Sequence, residues 1–410
     1  MINVESIGGR ENLEVNIRAN SKAAGPLASP MRGHKFRARQ LKPLRLAGNS
    51  VTRVILLLAF LHCATTERLL AGSMEDWAKM NAMVPKGYVC YPTPEPLKID
   101  GRLDEAAWQS VPWTENFADI EGETKTKPRQ RTRAKMLWDK DYFYVAAELE
   151  ERHVWATITE HDAVIFNDND FEVFIDPNGD SHDYYEFEIN ALNTSWDLLL
   201  KKPYKDGGPA LNSWEIPGLK TAVHVNGTLN NPSGTDANWT VELAFPWKAL
   251  AEFASRKTPP SEGEQWRVNF SRVEWQIEIV DGKYRKVAGK KEDNWIWSPQ
   301  GIVDMHRPEK WGYVQFTQKK AGTVSFLPDP ATEAKNQLHR IYYAQKDFHE
   351  KENRWAKSLE ELSLLPLSSV KEAPIMRPSS NGFEATIQIK MADGKIQRWH
   401  IRQDARIWSD

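Results

Sequence analysis

The chain has 410 residues, is 40% hydrophobic and 27% charged, and carries a formal net charge of -2. That describes a globular chain long enough for two or three domains. The near-neutral balance gives no global sign of nucleic-acid binding or of an electrostatic funnel for acidic substrates, and no nucleic-acid partner is expected. Cys63 and Cys90 are its only cysteines, which excludes a disulfide framework, and no CxxC, HExxH or helical histidine pair points to a transition-metal site.

Residues 1–72 read as an N-terminal extension containing an export signal. Lys42, Arg45 and Arg53 precede an apolar run at 54–61. The run is shorter than the ~20 residues needed to span a bilayer and suits a signal-peptide core. Its late position suggests a true start at Met31 or near Val51. The expectation is an exported chain, periplasmic or extracellular and in one version envelope-associated, with no transmembrane helix after processing. The competing reading is a short buried apolar segment.

Residues 73–87 read as a short helix and linker, followed by an extended entry marked by Pro92, Pro94 and Pro96. Between residues 88 and 318 short β-type runs alternate with turn signals. Strands are expected at 132–138, 142–150, 170–176, 184–191, 220–225, 239–245, 265–274 and 311–316, with short helices at 104–110 and 246–255. This recurrence predicts a mainly β fold, an antiparallel β-sandwich of jelly-roll type. Residues 319–330 read as a linker. Residues 331–410 read as a small α+β domain: a long helix at 331–355, then strands at 383–391, 397–402 and 405–408, with a polar loop at 366–381.

The segment NDNDFEVFIDPNGDSHDYYEFEIN, residues 167–190, carries the most chemical information. Strand side chains alternate faces. Phe171, Val173 and Ile175 therefore share one face, and Asp170, Glu172, Phe174 and Asp176 the other. In the second run Tyr185, Phe187 and Ile189 oppose Tyr184, Glu186, Glu188 and Asn190. Paired as a hairpin about Gly179 and Asp180, the runs set Glu172 roughly across from Glu188. Like charges so opposed are destabilising, so that face needs cations, a metal or a polar ligand. Arg129, Arg131, Arg133 and Lys135 fall at alternate positions. Beside the hairpin, Arg133 and Lys135 would pair with Glu172, Glu186 and Glu188. Either this is a salt-bridged outer face of little energetic weight, or a charge-lined hollow that hydrogen-bonds a polyol. Arg272, among Trp266, Val268 and Phe270, reads first as a structural ion pair and second as a ligand donor at a strand end. Asp176, Asn178 and Asp180 imitate the start of a calcium loop, but Gly179 comes too early and no closing glutamate follows; a turn is expected first and a weak calcium site second.

Six segments in order resemble a family 9 carbohydrate-binding module: IDGRLDEAAW (99–108), AKMLWDKDYFYVAAEL (134–149), NDNDFEVFIDP (167–177), YYEFEINALNT (184–194), WTVELAFPWKAL (239–250) and RPEKWGYVQF (307–316). The resemblance implies a secreted antiparallel β-sandwich that binds poly- or oligosaccharide and holds structural calcium. Members of that family grip sugar between two tryptophans. This chain has Phe166 at the first position and Met305 at the second. The family's central acid is retained as Glu172, whereas Glu188 lies near the place of an arginine. Trp138, Trp295 and Trp297 are the aromatic candidates to stand in for the missing tryptophans.

The sugar-binding set expected from these readings is Phe166, Asp170, Glu172, Glu188, Arg133, Trp138, Arg272, Trp297 and Met305, in a non-catalytic protein supporting carbohydrate catabolism. The alternatives are a glycoside hydrolase using Glu172 and Glu188 as paired carboxylates, and a structural protein of the cell envelope.

Overall fold

A computed structural model describes residues 73–365 and 373–410. The expected export signal and Cys63 lie outside the described residues. In chain order, α1 (Met74–Asn81) and β1 (Gly87–Pro92) lead to α2 (Ala106–Gln109) and β2 (Ala118–Asp119). Next come β3 (Thr132–Trp138), β4 (Tyr142–Glu150), β5 (Asp170–Asp176), β6 (Tyr184–Asn190), β7 (Ser195–Leu200) and β8 (Ala210–Leu211). β9 (Lys220–Asn226), β10 (Asn238–Pro246), α3 (Trp247–Leu250) and β11 (Gln265–Glu274) follow. The run closes with β12 (Ile277–Val280), β13 (Lys283–Lys286), β14 (Asp293–Ile296) and β15 (Gly312–Phe316).

Apart from β12 and β13, which pair only with each other, these strands make two layers that share a corner. One runs β8-β7-β6-β5-β11-β15-β1, with β14 paired along the second half of β11 and β2 paired to β14; the other runs β1-β3-β4-β10-β9. β1 belongs to both. Its first half, Gly87 to Cys90, lies parallel to Tyr313–Phe316 of β15, and Tyr91 and Pro92 lie parallel to Leu137 and Trp138 of β3. A strand that changes sheets is how sandwiches turn corners. The mainly β sandwich expected from the sequence is present, with this parallel strand as its departure from a purely antiparallel design.

The core forms because alternating residues of both layers face one another. Phe171, Val173 and Ile175 of β5, Tyr185, Phe187 and Ile189 of β6, and Trp239, Val241, Leu243 and Phe245 of β10 all pack into it. On the outer face of the second layer, Glu242 is buried but satisfied. It accepts hydrogen bonds from Trp108 Nε1 (2.9 Å), Asp100 N–H (3.0 Å) and Gly101 N–H (3.1 Å). The IDGRLDEAAW segment is therefore a cap folded onto that carboxylate. Gly101 sits at φ 80°, and a Cβ there would meet the His224 backbone nitrogen at 2.7 Å, so no other residue fits the turn.

After β15 the chain runs back over the sandwich: Tyr91 Oη donates to Val324 O (2.9 Å) and Gln265 Nε2 to Leu327 O (2.6 Å). α4 (Thr332–Glu352) then packs on an antiparallel sheet of β16 (Ile375–Pro378), β17 (Phe383–Lys390), β18 (Ile396–Arg402) and β19 (Ile407–Ser409). β16 occupies part of the stretch expected to be a polar loop. α1 joins this second core rather than acting as a linker: Trp77 stacks on Tyr343 at 5.4 Å between ring centroids, and Met80 is buried beside it.

Buried polar groups dock this unit on the sandwich. Lys205 Nζ lies 2.7 Å from Asp206 and 3.1 Å from Tyr342 Oη, and Tyr342 donates to Asp206 at 2.6 Å. Arg307 Nη1 donates to Tyr343 Oη at 3.2 Å, and Tyr343 donates to Glu309. Burial works against ionised Asp206 and Glu309, but the neighbouring cations, Lys205 foremost, hold both at about 2. Carboxyls depressed in this way stabilise the fold above their unfolded values of 3.8 and 4.5, and the contribution is lost as pH falls through about 2. Near-ultraviolet circular dichroism should therefore report an intact α4 contact at pH 4 and its loss on approach to pH 2. Lys205→Met, which removes the cation that most favours ionised Asp206 and Glu309, should cost about 3–5 kcal/mol in denaturant unfolding and move the acid transition to higher pH. An unchanged transition would contradict this account.

Candidate functional site

The hairpin pairs as the acid pattern requires. Glu172 lies directly opposite Glu188, Asp170 opposite Asn190, and Phe174 opposite Glu186. β7 extends the rows, setting Trp196 beside Glu188 and Leu198 beside Glu186. On the other side Ser271 of β11 lies beside Glu172. The apolar partners of these residues fill the sandwich core, so this acidic row faces outward.

It does not meet bulk water directly. A recess of about 400 Å³ covers it, lined by Glu172, Glu186, Glu188, Phe166, Trp196, Tyr204, Met305 and His306 among others. A short 3-10 turn, Ile165–Asn167, carries Phe166 to the rim, where it is 39% exposed. Its N–H donates to Glu188 Oε2 at 3.1 Å, and its carbonyl accepts from Trp275 Nε1 at 2.9 Å. The loop before β15 brings Met305, whose carbonyl accepts from Trp311 Nε1 at 2.8 Å. On the same loop His306 bonds Tyr184 Oη through Nδ1 at 3.0 Å, and Tyr204 packs edge-on against its ring at 4.4 Å.

The electrostatics are one-sided. Burial pushes the Glu172 carboxyl up to about 7. Burial, reinforced by Glu172, pushes Asp170, Glu186 and Glu188 well above the usual carboxylate range. Glu292 and Asp304 also line the recess. Burial lowers the His306 imidazole to about 4, leaving it neutral at pH 7, and among the described residues no lysine or arginine lines the recess. Four buried polar atoms of this face lack partners: Asp170 Oδ2, Glu186 Oε2, Trp196 Nε1 and Ser271 Oγ. Such groups cost about 1–3 kcal/mol each unless a ligand or water engages them.

The structure gathers Phe166, Glu172, Glu188 and Met305 around this recess, with Asp170 fully buried on the same strand face. Four other expected residues lie elsewhere. Arg133 pairs with Glu148 at 2.8 Å in the opposite layer and covers Trp113, and Lys135 donates to the Trp108 carbonyl; neither approaches the hairpin as expected, because β3 neighbours β1 and β4. Trp138 is core, donating to Thr317 O at 3.1 Å. Trp297 is completely buried against Phe270, and Trp295 lies under Arg129 and Arg272. Arg272 is 0% exposed and binds Glu151 and Glu274 at 2.8 Å each, Thr132 Oγ1 at 3.0 Å and the Glu150 carbonyl at 2.8 Å. It is the structural ion pair, tying the two layers, and has no open side for a ligand.

The loop of Asp176, Asn178 and Asp180 closes on itself. Asp176 accepts from Gly179 and Ser181 N–H groups, Asn178 from Asp180 N–H, and Asp180 from His182 N–H and Arg406. Its oxygens serve the turn that was expected first. A second acidic group, Asp162, Asp197 and Glu215 around His161, is largely exposed; His161 lies 3.1 Å from Glu215. Trp196, Tyr204 and His306 were not picked out in the sequence. The alternation Trp196, Leu198, Leu200 immediately after the hairpin is the signal that locates the first.

The carbohydrate family 9 binding domain-like family model matches residues 99–316, more than half of the chain. Among curated relatives, the exoglucanase XynX of Acetivibrio thermocellus is 26% identical over 155 residues, covering 37% of this chain and 12% of its own length. Endo-1,4-beta-xylanase A of Thermoanaerobacterium saccharolyticum is 26% identical over 152 residues, covering 37% and 11%. The chain thus spans only a small part of these relatives. A solved family 9 carbohydrate binding module from Caldicellulosiruptor kristjanssonii, in complex with cellotriose, aligns with a TM-score of 0.37 at 17% identity, covering 60% of this chain and 100% of its own.

If the recess acids are crowded together at a cost in desolvation and mutual repulsion, removing one ionisable carboxyl should stabilise the protein. Glu186→Gln replaces an unpartnered oxygen with a donor facing Glu172 and Glu188. In chelator-treated protein at pH 7.5 it should raise the unfolding free energy by roughly 1–3 kcal/mol. A fall of that size would show that ionised Glu186 is a structural necessity.

Proposed function

Because the chain belongs to the carbohydrate family 9 binding domain-like family, we propose that it is an exported, non-catalytic protein that binds poly- or oligosaccharide in the recess above β5 and β6, supporting carbohydrate catabolism. The observation that carries this reading is the joint placement of Phe166, Met305, Glu172 and Glu188 around one open cavity. A pyranose presents apolar C–H faces and a ring of hydroxyls. Phe166, Trp196 and Tyr204 offer surfaces for the first, and carboxylates accept from the second in pairs. Hydrogen bonds to charged groups contribute about 1.5–3 kcal/mol each, enough to fix orientation. Met305 stands where a flat ring would grip more directionally; its flexible thioether makes that wall adaptable. The one-signed lining favours neutral or amino sugars and disfavours uronic acids, whose carboxylates would face Glu172, Glu186 and Glu188.

A glycan array followed by calorimetry on the full chain, in buffer containing calcium, tests the reading. At least one neutral or amino-sugar oligosaccharide should bind. Phe166→Ala should weaken binding about tenfold, and Glu172→Gln by roughly 10- to 100-fold, from the loss of a charged hydrogen bond. No bound glycan, or full affinity in both variants, would overturn it. Reducing-sugar release abolished by Glu172→Gln would establish the hydrolase instead.

A further inference from the structure

We propose that the cleft between the sandwich and the C-terminal unit is a second binding site, for saccharides that carry a carboxylate, with Arg267 as its anchor. The cleft holds about 600 Å³, a size that takes small organic ligands. The sandwich contributes Arg267 of β11 and Tyr313 of β15. The C-terminal unit contributes Lys335 of α4, Trp399 of β18, and Arg406 and Trp408 near the end of the chain. Those four residues lie outside the span that the family model matches, and no residue lines both this cleft and the acidic recess.

Arg267 carries the inference. Three arginines are buried among the described residues. Arg272 has Glu151 and Glu274, and Arg307 has Asp304 at 2.8 Å. Arg267 is 9% exposed, yet it makes no ion pair among the described residues. Its Nη1 donates to Trp311 O at 2.7 Å; Nε and Nη2 have no acceptor among the described residues. Its strand neighbour Asp176 spends both oxygens on the N–H groups of Gly179 and Ser181. The guanidinium lies over the Tyr313 ring instead, 3.6 Å from the centroid. A neutral ring holds the group in place but leaves its charge unbalanced, and a buried charge without a counter-ion is costly. A guanidinium fixed in this way presents a rigid fork that matches a carboxylate in two parallel hydrogen bonds.

The acids of the cleft do not supply that carboxylate. Asp180 is engaged by Arg406 at 3.0 Å and Asp329 by Lys335 at 2.7 Å. Glu264 accepts from Ser261 N–H and Trp266 Nε1. Arg256 is exposed on the same lining and adds a further cation without an ion pair among the described residues. The vacant charge is therefore positive, the reverse of the recess.

The aromatic lining selects the carrier. Trp399 and Trp408 are half-buried at the cleft, and indole surface packs on the C–H faces of a pyranose. Trp399 Nε1 is a buried donor with no partner, which a sugar oxygen would satisfy. The choice of a saccharide rests on the proposed function; the anion site rests only on Arg267 and its surroundings. A uronate disfavoured by the recess is accepted here, so the two sites together suit a polysaccharide with neutral and acidic units.

Calorimetry on the full chain tests this with oligosaccharides of galacturonic or glucuronic acid, their neutral counterparts, and succinate as a carboxylate without a sugar. An oligouronate should bind the wild type, and more weakly as salt rises. Arg267→Gln and Trp408→Ala should each weaken that binding about tenfold or more. Phe166→Ala, which removes a recess wall, should weaken a neutral oligosaccharide and not the uronate, so the two sites fail separately. No uronate binding by the wild type would overturn the proposal, as would affinity kept in both cleft variants or lost only in Phe166→Ala. Succinate bound as tightly as the oligouronate would overturn the assignment to saccharides. Crystals of the wild type soaked with oligouronate give a readout independent of any variant: density beside Arg267 supports the site, and density only elsewhere, or none, refutes it.

Discussion

The structure turns on the opposition of Glu172 and Glu188 across β5 and β6. Neither residue can leave. On the reverse side of the same strands, Phe171, Val173, Phe187 and Ile189 are locked into the sandwich core. A slip of one residue would expose those apolar groups and bury the acids between the layers. The apolar register therefore holds the carboxylates together despite their repulsion, and the stability it provides offsets what that repulsion costs.

The contrast with other buried charges sharpens the point. Arg272 is enclosed as completely as Asp170, yet all its donors are used, by Glu151, Glu274, Thr132 and the Glu150 carbonyl. Lys205 and Asp206 neutralise each other beneath α4. The fold thus completes buried ionic networks where they serve only structure. Beside the recess it leaves acids uncompensated and oxygens unpaired, which is how a site differs from a scaffold.

Much of this was legible in the residues. Period-two alternation located the β5–β6 hairpin and predicted Glu172 facing Glu188, as observed. Alternation assigns a residue to a face, however, and says nothing of which strand lies alongside. Alternation accordingly sets Arg133 and Lys135 on a face that could neutralise the hairpin, whereas they belong to the other layer. The parallel direction of β1 has no sequence signature for the same reason. Trp138 and Trp297 illustrate a second limit: core is the default reading of such tryptophans and platform the lesser one, and the packing of Trp247, Phe270 and Phe316 decides for core. β7 follows β6 through a tight turn with Asn193 at φ 62°, and the unpunctuated run after it concealed a strand that supplies a wall of the recess.

The C-terminal unit acquires a role from chain connectivity alone. Tyr204 and His306 form one rim of the recess, and each is followed directly by a residue buried under α4. Lys205 meets Tyr342, and Arg307 meets Tyr343. Asp206, next after Lys205, and Glu309, two positions beyond Arg307, complete the same network. Because a peptide step spans only about 3.8 Å, anchoring Lys205 and Arg307 fixes the backbone from which Tyr204 and His306 project. The edge-on contact of those two rings at 4.4 Å is thus held from behind by the helix, so that docking and recess geometry are set by the same short turns. A sandwich without α4 would carry the same acids on β5 and β6 but would lack the support that shapes the wall above them.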